Sequence, residues 1–273
     1  MLAIALLPVG LLLIAMAGAL IAIRAPSGHT NNQSPAPSSL GGGEPFGVRP
    51  VLSLLGIVAA GVAVMFPLML GLGKLVERFQ GFDTRAWNWF VDHRVQRWYD
   101  LMETVTQLGN SWLNRGVAVG VLLTLVTVVR QRWLTAVALI AMLFSAHYLV
   151  VWTTSIIDRP PPPGSGGTYP SGGCARVIAI YGLVAFVLLR ETHAGRRSAI
   201  AAWTVIAALG FIEAYSRVYL AVHWVSDAVG GLIFGAALLG IFIVALRTVT
   251  GRTMSTGSGP ASSERLMAGR PSG

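Results

Sequence analysis

The 273 residues are 54% hydrophobic and only 11% charged, with a mean hydropathy of +0.66, against roughly a quarter charged in a soluble domain. That balance excludes a soluble globular enzyme and implies an integral membrane protein. The formal charge of +9 comes almost wholly from arginines in short blocks between apolar runs, so it reads as membrane topology and excludes a nucleic-acid footprint.

A single cysteine, Cys174, rules out an intramolecular disulfide and a cysteine-built metal site, and the five histidines show no metal-ligand spacing. No metal and no cofactor are expected.

Met1 to Ile23 has no charged side chain and is long enough to span ~30 Å of hydrocarbon. It is either a retained span or a signal sequence, and the lack of a basic leading segment favours the span. Residues 24–49 are rich in Ser, Pro, Gly and Asn and read as a flexible linker. Val51 to Gly73 is a second uncharged span, with a kink expected at Pro67. Across 75–110, apolar and aromatic residues, among them Trp87, Trp89, Trp98 and Tyr99, recur at threes and fours, which predicts an amphipathic helix at the membrane interface.

Four further spans follow at about 116–129, 133–157, 174–189 and 198–215, and a seventh from Trp224 to Leu246. His147, inside the fourth, is read as a packing residue. The loop from Asp158 to Gly173, with its four prolines in a row at 160–163, excludes helix and strand. Its glycines leave backbone N–H groups free to face an anion. Residues 247–273 form a basic tail without core-forming composition. The fold expected is therefore all-α: a polytopic membrane bundle with a six-helix core over 50–246 and one extra N-terminal span.

The turns at 130–132 and 190–197 and the start of the tail are basic. They fall on one side if each span crosses once, and the positive-inside rule makes that side cytoplasmic. The loops at 158–173 and 216–223 then face outward, from a multi-pass protein of the plasma (inner) membrane. Arginine used almost to the exclusion of lysine fits a GC-rich bacterial genome.

On that outer face lies a polar island, Ser216 to Asp227, reading S-R-V-Y-L-A-V-H-W-V-S-D between two apolar runs. Ionisable groups at a membrane span are expensive and point to function. If the chain is helical after Val222, His223 and Asp227 share a face, and the carboxylate holds the imidazole in one tautomer. Arg159 and Pro170-Ser171-Gly172 reach the same face. Two arginines, a glycine-rich nest and a histidine backed by an aspartate are the parts that phosphoryl transfer to histidine requires.

These residues resemble the signature of the type-2 phosphatidic acid phosphatase and haloperoxidase superfamily: K-x6-R-P, then P-S-G-H, then S-R-x5-H-x3-D. The third motif is complete as Ser216, Arg217, His223 and Asp227, and the similarity covers about Val51 to Leu246. The resemblance implies a metal-free six-helix core acting on lipid phosphates. It assigns His223 as the nucleophile that becomes phosphohistidine and Asp227 as its orienting partner. Arg159, Arg217 and Ser216, with Ser171 and the Gly172 backbone, make the phosphate pocket.

Two positions depart from the pattern. Trp152 stands where the first motif has lysine, the chain's one lysine being Lys74, and Gly173 stands where the second has histidine. In the family that histidine protonates the leaving group. The P-S-G-H at Pro26 to His29 precedes the first motif and sits in the linker, so it is set aside as a decoy. Cys174 and Tyr169 flank the vacated position as weak substitute donors, although packing explains both.

Loss of the acid costs least when the leaving group is already a stable anion. The expected function is a lipid phosphatase or phosphotransferase at the outer face, biased towards lipid or polyprenyl diphosphates. The alternative is an impaired pseudo-phosphatase that binds a lipid phosphate or an envelope-assembly partner. A third reading, transport past the arginines, lacks the paired broken-helix repeat of transporters.

Overall fold

In hydrocarbon a backbone must satisfy its own polar groups, which favours helices. The structure, a computed structural model, describes residues 48–110 and 132–256 together with 112, 116 and 120. Every regular element among the described residues is helical. α1 (Val48–Val76) carries Pro67 within it and passes through a 3-10 turn, Glu77–Phe79, into α2 (Gln80–Asp92). α3 (Gln96–Val105) ends in a second such turn, Thr106–Gly109. Then come α4 (Arg132–Ile156), α5 (Gly172–Glu191), α6 (Arg196–Tyr219) and α7 (Val225–Thr256).

Among the described residues, five helical runs are long and apolar enough to cross a membrane: Val48–Asp92, Trp133–Ile156, Gly172–Glu191, Arg196–Tyr219 and Val225–Gly251. The expected span at 1–23, all of the expected span at 116–129 but residues 116 and 120, the linker up to residue 47, the decoy P-S-G-H and the end of the tail lie outside the described residues. The segment expected as one interfacial helix is two short helices, α2 and α3, joined by a turn. Trp89 and Trp98 point outward from it, 56% and 55% exposed.

α5 is the most enclosed span, with 67% of its apolar stretch buried against 17% for α1 and α6. Leu183, Val184 and Val187 of α5 pack with Phe234, Leu238 and Phe242 of α7, Leu139 and Met142 of α4 and Leu54 of α1. The outer faces are apolar as well: Val64 and Leu68 on α1, Phe144 on α4, and Ile200 and Phe211 on α6 are exposed. Such a surface is stable against lipid and an aggregation hazard in water. A π-helical turn, Val177–Tyr181, interrupts α5.

The ends of the bundle differ in chemistry. Arg190 and Arg196 lie near the C-terminus of α5 and the N-terminus of α6, and Arg247 of α7 stacks over Phe186 at that same end. The opposite end gathers the C-termini of α4 and α6 and the N-termini of α5 and α7. A 24-residue helix such as α6 is about 36 Å long, so the two ends stand roughly a bilayer apart. There the start of α5 and the second turn of α7 meet closely, because a Cβ on Gly231 would run into the Ser171 carbonyl.

Candidate active site

The polar island begins where α6 stops. Val222 N–H donates to the Arg217 carbonyl at 3.1 Å and Ala221 N–H to Val218 at 2.9 Å, a Schellman closure with Ala221 in the left-handed region at φ 59°. The chain then turns through His223 and restarts as α7 at Val225. Here the sequence expectation needs correction: His223 precedes α7 and does not share a helical face with Asp227.

Asp227 instead serves the helix start, its Oδ2 accepting the Trp224 N–H at 3.2 Å, as the third residue of a capping box does. His223 Nδ1 still faces that oxygen, but at 3.7 Å, beyond a hydrogen bond. Nδ1 is buried without a hydrogen-bond partner, and the side chain is 11% exposed. The loop closes over it: a Cβ at Gly167 would strike the Val222 carbonyl and lie 2.9 Å from His223 Nδ1. Trp87 Nε1 donates to the Ala221 carbonyl at 3.4 Å and Trp224 Nε1 to that of Pro160 at 2.9 Å, pinning both sides of the turn.

Behind His223 lies Arg159, its side chain 1% exposed. Nη1 donates to Asp227 Oδ1 at 2.6 Å and to Ser226 Oγ at 2.7 Å. Nη2 donates to Asp83 Oδ2 at 2.5 Å and to Gln80 Oε1 at 3.0 Å, and Nε reaches the same Gln80 oxygen at 3.3 Å. A guanidinium has five N–H donors, and each of these has a protein acceptor. Asp83 is fully buried and also accepts the Ser226 N–H at 3.1 Å. Arg159 is thus the centre of a buried network joining α2, the proline loop and α7.

Arg217 is held differently. Its Nε donates to Glu213 Oε1 at 2.7 Å and its Nη2 to the Thr106 carbonyl at 3.1 Å. The side chain is 19% exposed, and Nη1 is uncommitted among the described residues. Glu213 has no exposure, and its Oε2 is buried without a hydrogen-bond partner. Two glycines clear room for this carboxyl: a Cβ at Gly173 would lie 2.6 Å from Oε1, and one at Gly109 would strike it. Arg176 of α5 donates to the Gly109 carbonyl from Nε at 3.1 Å and Nη2 at 2.9 Å.

Ser171 is buried, and its N–H donates to the Asp227 carbonyl at 2.9 Å. Gly172 and Gly173 open α5, where N–H groups have no partner within the helix. Ser216 Oγ donates to the Glu213 carbonyl at 2.7 Å. Trp152 is 54% exposed and Cys174 fully buried. Tyr169 is enclosed, its hydroxyl donating to the Met69 carbonyl at 3.4 Å, and burial, reinforced by the Asp227 charge, raises its pKa. Among the described residues no three His, Cys, Asp or Glu side chains converge as metal ligands.

Beside Ser226 opens an apolar cavity of about 230 Å³ between α1, α2 and α7, lined by Leu72, Val76, Phe79, Phe82, Val229 and Ile233 among others.

Sequence reasoning missed Gln80, Asp83, Ser226 and Glu213. Glu213 had a signal, a lone acid in an apolar span four residues before Arg217. Asp83 had none, because one acid in an amphipathic segment is ordinarily solvated.

The comparisons agree with this architecture. The sequence matches the PAP2 superfamily over residues 56–250. The fold is similar to the first transmembrane PAP2-type phosphatidylglycerolphosphate phosphatase from Bacillus subtilis, seen in a crystal structure. The TM-score is 0.62 at 18% identity, covering 68% of this chain and 96% of that one. No curated protein matches the sequence. Over more than half its length, and with the third motif complete at one end of a helical membrane bundle, this chain belongs to the PAP2 superfamily.

Proposed function

We propose that the protein is a membrane lipid phosphatase or phosphotransferase whose nucleophile is His223. The observation that carries this reading is the imidazole itself: Nδ1 is buried against the Asp227 carboxylate and the opposite ring edge is left to attack. Attack by Nε2 on phosphorus forms a phosphohistidine, and the positive charge that develops on the ring is stabilised by Asp227. Arg217 Nη1 and the first-turn N–H groups at Gly172 and Gly173 supply the donors for the phosphate oxygens. Ser171 and Ser216 shape that pocket. Arg159 acts through Asp227, holding it in place, and contacts phosphate only if it gives up a protein acceptor.

The apolar cavity beside Ser226 fits a lipid chain whose headgroup lies at the site. The arginines at the far end of the bundle support an outward-facing site in the plasma membrane. With glycine at 173, the reading favours lipid or polyprenyl diphosphates, whose leaving phosphate needs little protonation near neutral pH. Phosphate release from a polyprenyl diphosphate and from phosphatidic acid, compared between wild type and His223→Ala, tests this. Loss in the variant is expected, and release that persists without His223 overturns the mechanism.

A second reading is favoured by one observation, the full commitment of Arg159. A pseudo-phosphatase that binds a lipid phosphate or an envelope-assembly partner needs a rigid network and no turnover. It predicts lipid-phosphate binding with no phosphate release.

A further inference from the structure

The position vacated by the family's histidine is occupied in space by a carboxyl group from another helix. Glu213 lies in an apolar span, without exposure, and its Oε1 sits 2.6 Å from where a Gly173 Cβ would be. A second glycine, Gly109, is needed for the same carboxyl. Oε1 is paired with Arg217 Nε at 2.7 Å, whereas Oε2 is buried with no hydrogen-bond partner. An unpaired buried carboxylate oxygen is costly, and a proton on it would await an acceptor. The charged and titratable groups facing this carboxyl are Arg217 on its own helix and Arg176, Cys174 and Tyr181 on α5.

We propose that Glu213 is the proton donor to the leaving group, its carboxyl reaching the first turn of α5 through the space that glycine leaves at positions 109 and 173. This rests on the phosphatase reading above and extends it to phosphomonoesters, whose alkoxide leaving group needs a proton. His223 Nε2 donates its lone pair to phosphorus, the P–O bond to the leaving group breaks, and the departing oxygen takes the proton from Glu213 Oε2. Water then attacks the phosphohistidine, passing its proton to the Glu213 carboxylate as the N–P electrons return to Nε2. Free phosphate leaves and Glu213 is again protonated. Arg217 keeps Oε1 engaged throughout.

The test uses the full-length protein in detergent with phosphatidic acid as monoester and a polyprenyl diphosphate as comparison. The forms compared are wild type, His223→Ala, Glu213→Gln and the double variant Glu213→Ala/Gly173→His. Glutamine keeps an oxygen for the Arg217 N–H, so a purely positioning role survives Glu213→Gln. A proton donor does not. The expected result is a fall of about 10²- to 10⁴-fold on phosphatidic acid and of less than about tenfold on the diphosphate. The double variant, with the carboxyl removed and its space open to imidazole, recovers monoester turnover relative to the single variant Glu213→Ala, which is measured beside it.

Equal losses on both substrates would show a structural role and overturn the proposal. So would an unchanged monoester rate, or a wild type that releases phosphate from the diphosphate alone. If no substrate gives His223-dependent release, the phosphatase reading itself falls. If that release is present but insensitive to Glu213→Gln, only the proton donor falls.

Discussion

Arg159 and Arg217 stand at the same end of the bundle and match the same family signature, yet the protein spends them in opposite ways. Arg159 is 1% exposed and bonded through all its nitrogens to Gln80, Asp83, Ser226 and Asp227. Arg217 is 19% exposed, with one carboxylate and one carbonyl as partners. A guanidinium between two buried carboxylates is a rigid fixture, because each bond it makes offsets a desolvation cost that water could not offset again. A guanidinium with a free nitrogen at the surface can take a substrate oxygen without giving up anything. One half of the site therefore holds the turn that carries His223 in place, and the other half keeps an uncommitted donor near the surface, as the proposed phosphate pocket requires.

The comparison is broken most severely at Arg159. Arg159→Met leaves Asp83 and Asp227 facing each other without a counter-charge and is expected to destabilise the protein by about 3–5 kcal/mol. Arg217→Gln keeps a donor towards Glu213 and should cost only about 1–2 kcal/mol while abolishing phosphate release. Thermal unfolding in detergent, followed by tryptophan fluorescence, measures both. Comparable losses of stability would erase the distinction.

Asp83→Asn is the next step down. It removes one of the two ion pairs of Arg159 and is expected to cost about 1–3 kcal/mol with KM little changed, since Asp83 contacts no proposed phosphate donor. A large rise in KM would show that the Arg159 network touches substrate.

Gly173→Ala probes the other half. Its Cβ would lie 2.6 Å from Glu213 Oε1 and 2.8 Å from Arg217 Nη2, so overpacking of about 1–3 kcal/mol is expected. Phosphate release should fall more than stability does, because the displaced groups are Glu213 and Arg217. A fully active variant would mean that the Glu213 and Arg217 pair can shift freely.

The smallest effect is expected at Ala221, whose φ of 59° suits glycine. Ala221→Gly should stabilise the fold by about 1 kcal/mol, read as a raised midpoint of unfolding. Destabilisation would show that the methyl group packs usefully beneath the His223 turn.

Much of this was legible in the residues. Hydropathy placed the spans at 133–157, 174–189, 198–215 and 224–246 on α4 to α7, because a bilayer demands a length of apolar chain whatever its neighbours, although α7 continues to Thr256, into the segment expected as tail. The S-R-x5-H-x3-D spacing identified the family and the end of the bundle where its residues gather. The spacing misled in one detail. The four-residue step from His223 to Asp227 suggested a shared helical face, but α7 starts at Val225 and Asp227 caps that start. Polar residues beside a helix N-terminus compete for its unpaired N–H groups, and periodicity does not say which will win.

Composition, span lengths and motif order were properties of the chain itself, since each depends on local chemistry and on the solvent the chain must face. The partners of the motif residues were settled by tertiary packing alone. Asp83 lies 76 residues from Arg159, and Gly109 and Gly173 meet Glu213 from two other elements. Burial makes each polar atom find an acceptor or remain unpaired, and which atom ends in which condition depends on how the helices cross. That crossing spends Arg159 on the scaffold, leaves Arg217 open to a ligand, and fills the place of a missing histidine with a glutamate.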